Sequence, residues 1–433
     1  MLSDLHIAPP GPLSSFHAGP ELVGLLARLR RDHRVRTLVL AGDVFDFLAL
    51  PAATATMQPA AVPGFVDATL AAIARLDWGL SLFQQLGALA GAGTEVILLP
   101  GNHDPELAHP EVAALLRARC GLAAGDAGRL RVEVASTVLR QEVGSLEVVI
   151  GHGHRGDPWN DIDPAMVLHH ATTNPPLALE LPLGSRLVVS AMRAFREQYR
   201  FVDALKPELA VPLLLLYLDW KLARPHLLDT GILKAKAIIA GMQRRLQPGP
   251  TLGSGADAPA THLASASDQM AAALFECLQP GEQQLAITQV EDWLGGHGPA
   301  APGTLASHDG GKFLLRAALR LLGHNGTFFD QTTLDDADRK IVDEHLPAGA
   351  GPRVVIAGHS HAAKHVSPDA SRTYINTGTW TDLIAWRPMS SDDEAKTFID
   401  DLERERVPMM RRLTWALVDE RGAKLMQEPV ATR

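Results

Sequence analysis

The sequence predicts an α/β protein whose sheet domain is interrupted by a helical insertion. Three observations carry that reading. Strand-like apolar runs alternate with helix-like runs as far as Ile150, the pattern of βα units. From Pro164 to about Leu246 the text turns Leu- and Ala-rich with helical spacing. Strand-like runs resume at Arg353.

Taken in order, Leu22 to Arg31 has the periodicity of an amphipathic helix. Thr37 to Leu40 is a β-rich run that leads into Gly42-Asp43. Val66 to about Leu89 reads as one long amphipathic stretch. Val96 to Leu99 leads into Pro100-Gly101-Asn102-His103-Asp104, and Leu146 to Ile150 into Gly151-His152. Helical spacing recurs at Leu187 to Tyr199, Val211 to Leu222 and Ile232 to Leu246. Two stretches rich in Gly, Pro, Ala and Ser, Pro248 to Ser265 and Gly295 to Gly311, read as loops. Arg353 to Ala357 leads into Gly358-His359-Ser360-His361. Thr373 to Asn376, Thr381 to Trp386 and Leu413 to Val418 are further strands. The expected organisation is a sheet domain from 1–164 and 351–433, with a helical cap at 165–350 between its halves. No internal repeat recurs at a fixed period.

Composition narrows the class. The 433 residues are 46% hydrophobic and 21% charged, enough for a sizeable core, which excludes a disordered chain. The net charge of −9 argues against long nucleic acid as a partner. The two cysteines, Cys120 and Cys277, make no disulfide framework and suit a reducing cytoplasm, the expected location. The apolar stretch near Leu209 to Leu218 is shorter than the ~20 residues of a membrane span, so peripheral contact is the most a membrane should see. No Walker loop, dinucleotide fingerprint or Gly-x-Ser-x-Gly elbow occurs.

Five short clusters share one arrangement, most of them a strand-like run followed by a tight turn bearing Asp, Asn or His. They are Asp4-Leu5-His6, Gly42-Asp43-Val44-Phe45-Asp46, Gly101-Asn102-His103-Asp104, Gly151-His152-Gly153-His154 and Gly358-His359-Ser360-His361. Turns at the carboxyl ends of strands in an α/β sheet converge on one crevice. Mixed imidazole and carboxylate donors suit Mn, Zn or Fe better than Ca or Mg. Each cluster alone is weak; the five in this order point to a two-metal site.

This set resembles the calcineurin-like metallophosphoesterases, over roughly 1–165 and 350–390. The resemblance implies a four-layer sandwich of two mixed sheets flanked by helices. It also implies two divalent ions, Mn first, with Zn or Fe as alternatives. Asp4, His6 and His361 would hold one ion, and Asn102, His152 and His359 the other, with Asp43 bridging. His103 would contact the phosphate and act as general acid. The implied reaction is hydrolysis of a phosphoric ester or phosphoanhydride by a water activated between the ions. A bridging carboxylate fixes the ion spacing, and a neutral amide supplies an oxygen without repelling the phosphate.

Within that family the wording is similar to the branch containing UDP-2,3-diacylglucosamine pyrophosphatase, through Gly42-Asp43-Val44-Phe45-Asp46-Phe47 and Tyr374-Ile375-Asn376-Thr377-Gly378-Thr379-Trp380. That enzyme typically carries Arg at the His103 position and a His-Gly-Asp loop where this chain reads Gly151-His152-Gly153-His154-Arg155-Gly156-Asp157-Pro158-Trp159-Asn160-Asp161. The expected substrate is therefore a small phosphorylated compound, nucleotide- or lipid-linked. From Ala165 to Pro250 there are 11 Lys and Arg against 6 Asp and Glu. These would steer anions inward, or else form the solvated face of a packed helical cap.

Several residues have plainer readings. Asp46 either orients a ligand histidine or caps the following helix. Asp104 either tunes His103 or caps a helix. His154 lies near a phosphate or in an ordinary loop. His169 and His170 are helix residues, and Trp380 either walls the pocket or packs. The competing functions are a nuclease or cyclic-nucleotide diesterase on the same site, and a non-catalytic scaffold. Only three residues precede Asp4, so either the first strand is short or the start lies further upstream.

Overall fold

The computed structural model describes residues 1–11, 13–32, 34–122, 127–157, 159–206, 328–346, 351–384 and 392–430. They fall in two compact units. One comprises Met1–Val189, Thr327–Asp382 and Met410–Arg433, and the other Ser190–Gly326 and Leu383–Met409. The helices expected at Val211 to Leu222 and Ile232 to Leu246, both Gly/Pro-rich loops and Cys277 lie outside the described residues.

The first unit is α/β, with parallel and mixed sheets. One sheet has the order β1 (Thr37–Ala41), β2 (Glu95–Leu99), β3 (Leu130–Val132), all parallel. The second has five strands. In chain order they are β4 (Val138–Val143), β5 (Leu146–Gly151), β6 (Arg353–Ala357), β7 (Ala363–Asp369) and β8 (Arg372–Thr377). Their spatial order is β4-β5-β6-β8-β7. The central pairs β5/β6 and β6/β8 are parallel, and the outer pairs are antiparallel. A hairpin, β9 (Thr414–Asp419) with β10 (Gly422–Gln427), closes the unit.

The two faces of the parallel strands explain the layering. Val39, Ala41, Ile97 and Leu99 cluster with Val148, Ile150, Val354, Ile356 and Ile375 of the second sheet. The alternate residues Leu38, Leu40, Val96 and Leu98 belong to the cluster holding Leu22, Leu25, Val66, Leu70, Leu82 and Phe83. Those come from α1 (Gly19–Arg31), α2 (Val62–Ala74) and α3 (Gly79–Gly91). On the far face of the second sheet, Val149, Val355, Ala357 and Tyr374 pack against Ile341 and Val342. Both of these lie on a helix at Asp336–His345. Buried parallel strands are apolar on both faces, as the runs here are.

The α1 helix is set by its ends, with Pro20 in the first turn, Glu21 beside it and Arg28, Arg30 and Arg31 in the last. The stretch expected to be continuous from Val66 to Leu89 is two helices bent by 106°. Gly79 makes the break: a Cβ there would sit 1.8 Å from the Ile73 carbonyl oxygen, so only glycine permits the turn. Among the described residues no single helix is long and apolar enough to cross a membrane. The bent pair passes on length and composition, yet it buries Val66, Leu70, Leu82 and Phe83.

The first residues run beside β1. Leu2 N–H donates to Val39 O, Ala41 N–H donates to Leu2 O, and Asp4 N–H donates to Gly42 O. Asp4 therefore emerges at the same end of the sheet as Gly42-Asp43. Of the strand expected at Thr381 to Trp386, Leu383–Ile384 is strand and 385–391 lie outside the described residues.

Candidate metal centre

Four turns at strand carboxyl ends, with the Asp4 segment beside them, deliver the clustered residues to one place. The turns follow β1, β2, β5 and β6. Their backbone is unusual. Asp4, His6, Asp43, His359 and His361 all have positive φ, between 51° and 69°. Non-glycine residues adopt this region at a cost, and such strain concentrates at functional sites. Three glycines, Gly42, Gly101 and Gly358, give way to candidate ligand side chains. A Cβ on Gly42 would meet the His152 ring at 2.3 Å, one on Gly101 would meet Asp43 Oδ1 at 2.2 Å, and one on Gly358 would meet Asp4 Oδ2 at 2.2 Å.

One group is compact: ligand atoms of Asp4, His6, Asp43 and His361 all lie within 4.8 Å of one another. His6 Nε2 is 3.0 Å from His361 Nε2, His361 Nε2 is 3.4 Å from Asp4 Oδ1, and His6 Nε2 is 3.8 Å from Asp43 Oδ2. The same Asp43 Oδ2 lies 3.3 Å from His152 Nε2, which is 3.2 Å from Asn102 Oδ1. One carboxylate oxygen thus faces two sets of donors. Asp43 Oδ1 is taken up by the His103 backbone N–H at 2.9 Å.

His152 Nδ1 faces the Ala41 carbonyl oxygen at 2.9 Å. A carbonyl only accepts, so Nδ1 carries a proton. In the neutral ring Nε2 then aims its lone pair at two further acceptors, Asp43 Oδ2 and Asn102 Oδ1. Three lone pairs converging in a buried place need a cation. Without a metal a proton serves: burial alone would lower His152, but Asp43 and Asp4 outweigh it and raise it to about 10. The carboxylates respond in kind. Burial would raise Asp4, Asp43 and Asp46, but the neighbouring histidines hold all three below the usual carboxylate range. None of the three pairs with Lys or Arg among the described residues. The donor set therefore fits divalent metal, and these Asp/His groups are close enough to hold one.

His359 stands differently. Its Nε2 lies 2.9 Å from Asp157 Oδ2, so that nitrogen carries the proton and Nδ1 holds the lone pair. Its ring centroid is 5.4 Å from that of His152. Asp157 and its neighbour Asn160 were missed by the sequence reading, although only Arg155-Gly156 separates the run Asp157-Pro158-Trp159-Asn160-Asp161 from the fourth cluster. His154 Nε2 bonds to Ile162 O at 2.9 Å, and its buried Nδ1 has no hydrogen-bond partner. Burial first, then His152 and His359, lower it to about 3, so it is neutral.

His103 Nδ1 is 3.0 Å from Asp46 Oδ1, and Asp46 Oδ2 is 3.8 Å from His6 Nδ1. Asp46 Oδ1 also accepts from Ala49 N–H, but in a turn with no helix following it, so the capping reading fails and the orienting one stands. The trio His6, Asp46 and His103 is close enough to count as a second candidate metal group, but hydrogen bonding accounts for it. Asp104 makes no helix cap. It accepts from the N–H groups of Asp43, Val44, Phe45 and Gly101, tying two of the turns together. Trp380 is fully buried, donating Nε1–H to Thr414 O, so it packs and does not wall a pocket. His169 and His170 lie on the helix at Pro164–Thr172, away from these contacts.

Side chains of His103, His359 and His361 keep 14–16% exposure, against 1–2% for His152 and Asp43. The open side of the centre is thus that of His103, His359 and His361. No family model matches the chain, and no curated protein matches its sequence.

Proposed function

We propose that the chain is a binuclear-metal phosphoesterase with a four-layer sandwich core, hydrolysing a small phosphoric ester or phosphoanhydride. The observation that carries the reading is Asp43 Oδ2, placed 3.8 Å from His6 Nε2 and 3.3 Å from His152 Nε2. An oxygen shared by two nitrogen-rich donor sets is what a bridged pair of ions needs. Apolar clusters on both faces of both sheets support the layering. Asp4, His6 and His361 would hold one ion, and Asn102, His152 and His359 the other, with Mn, Zn or Fe suiting these donors.

Two ions so placed would polarise a phosphate and make hydroxide available near neutral pH. The remaining roles belong to the chain. Asp46 holds His103 Nδ1–H, so His103 presents Nε2 to protonate the leaving oxygen. His152 and Asn102 aim lone pairs inward, and the buried walls limit water. The acidic balance of the chain favours small substrates over long nucleic acid.

The test is elemental analysis of protein grown with manganese, beside an Asp43→Ala variant, followed by hydrolysis of 4-nitrophenyl and bis(4-nitrophenyl) phosphate. About two ions per chain in the wild type, largely lost in the variant, with metal-dependent turnover, are the expected results. A well-folded wild type that holds no transition metal overturns the reading and leaves the scaffold. Cleavage of cyclic nucleotides or single-stranded DNA in preference to small monoesters moves it to the diesterase alternative.

A further inference from the structure

Asp157 is a pure acceptor, and two donors meet at its Oδ2. His359 Nε2 is 2.9 Å away and Asn160 Nδ2 is 2.7 Å away, while the Trp159 N–H donates to Oδ1 at 2.9 Å. This fixes the direction of every bond that follows. Asn160 must turn its amide nitrogen to the carboxylate, which leaves its Oδ1 on the other side. That Oδ1 meets Asn102 Nδ2 at 3.5 Å. Asn102 in turn presents Oδ1 toward His152 Nε2, at 3.2 Å. On the other branch His359 Nε2 must carry the proton, so Nδ1 carries the lone pair.

We infer that Asp157 and Asn160 are positioning residues that orient both neutral ligands Asn102 and His359 for the ion on the Asn102 side. This deepens the two-metal reading and rests on it. An unsupported asparagine can flip its amide, and a histidine can move its proton to the other nitrogen. Either change would turn a hydrogen toward the ion. The carboxylate at 157 forbids both at once, through one short chain of bonds. The Asp4–His6–His361 side takes no side-chain hydrogen bond from Asp157 or Asn160: the Asp4 carboxylate accepts from Ser3 Oγ–H and the His359 backbone N–H and faces His361 Nε2 at 3.4 Å. The effect of losing Asp157 should therefore fall on one ion of the pair.

The experiment loads metal-free full-length protein with Mn(II) and compares wild type, Asp157→Ala and Asn160→Ala. Bound ions are counted by equilibrium dialysis, and low-temperature electron paramagnetic resonance separates exchange-coupled pairs from isolated ions. Wild type should bind two ions with a coupled signal. Both variants should keep one ion at near wild-type affinity and bind the second roughly 10–100-fold more weakly, with an isolated-ion signal at one equivalent. Asp157→Asn retains the size and one acceptor, and should lie between wild type and Asp157→Ala, which guards against a folding defect. Equal two-ion binding and coupled signals in all four proteins overturn the inference and leave the two-metal reading standing. Failure of the wild type to bind a second ion overturns both.

Discussion

His6 Nε2 lies 3.0 Å from His361 Nε2, although 355 positions separate them in the chain. Two imidazole nitrogens at this distance cannot both present lone pairs unless a proton or a cation sits with them. His6 Nδ1 lies on the Asp46 side, at 3.8 Å from its Oδ2. Asp4 Oδ1 completes the approach to His361 at 3.4 Å. The fold thus spends backbone strain at Asp4, His6 and His361 to bring electron-rich atoms together, which favours a cation strongly.

Metal removal should therefore destabilise the fold. Bound metal stabilises by mass action, about 2.7 kcal/mol when free metal is 100-fold above its dissociation constant. Chelation followed by thermal unfolding should lower the melting temperature by several degrees, and Mn(II) should restore it. His361→Ala should shrink that metal-dependent rise. An identical rise in the variant would remove His361 from the ligand set.

Metal affinity should also climb with pH. Burial opposes the charged form of His152, but Asp43 and Asp4 prevail and hold it at about 10. A histidine raised in this way stabilises the metal-free fold fully below its unfolded value of ~6.5, and the contribution fades as pH approaches 10. An ion must displace that proton to reach Nε2. The apparent dissociation constant should then fall about tenfold per pH unit between roughly 7 and 9, while the metal-free melting temperature declines. Calorimetric titration in buffers of different ionisation enthalpy counts the released proton. A pH-independent constant with no proton release would exclude His152 as a ligand.

Asp104 should be worth more to stability than its two-oxygen side chain suggests. Four backbone N–H groups from two turns end on it, at 2.7–3.1 Å. Burial first, then the charge of Asp43, raise it to about 6. Asp104→Ala would strand four buried donors and should cost roughly 3–5 kcal/mol, read by urea unfolding of the metal-free protein. Asp104→Asn keeps one acceptor oxygen and should cost less. A cost below about 1 kcal/mol for the alanine variant would mean that the two turns hold their shape unaided.

The candidate ligand residues other than Asp4 and His6 were legible because their clusters each follow a short apolar strand and carry a glycine, a local pattern that survives without knowledge of the fold. The β1, β2, β5 and β6 runs were legible for the same reason, being apolar beyond their first residues, where Thr37, Glu95, Glu147 and Arg353 lie. The strand at Ala363–Asp369 was not: Lys-His-Val-Ser-Pro-Asp is polar and lies at the sheet edge, where side chains need not alternate. Asp157 and Asn160 were read past because their contacts are distant in the chain: Asp157 meets His359 across 202 positions and Asn160 meets Asn102 across 58. The strain at Asp4, His6 and Asp43 was equally hidden, since sequence assigns positive φ to glycine first.

His103 offers the most specific prediction about chemistry. Its backbone N–H is held by Asp43 Oδ1 at 2.9 Å and its Nδ1 by Asp46 Oδ1 at 3.0 Å, while the side chain keeps 16% exposure. This geometry fixes the ring and leaves Nε2 as the nitrogen that can protonate a leaving oxygen. His103→Ala should lower kcat by roughly 10²–10⁴-fold for an alkyl phosphate, whose alkoxide cannot depart unprotonated. For 4-nitrophenyl phosphate the loss should be far smaller, because nitrophenolate departs without help. Asp46→Asn keeps an acceptor for Nδ1–H but removes the charge that favours the imidazolium. The alkaline limb of kcat should then move to lower pH, with KM little changed. Equal losses on both substrates in His103→Ala would give His103 a role in binding phosphate and take the proton transfer away from it.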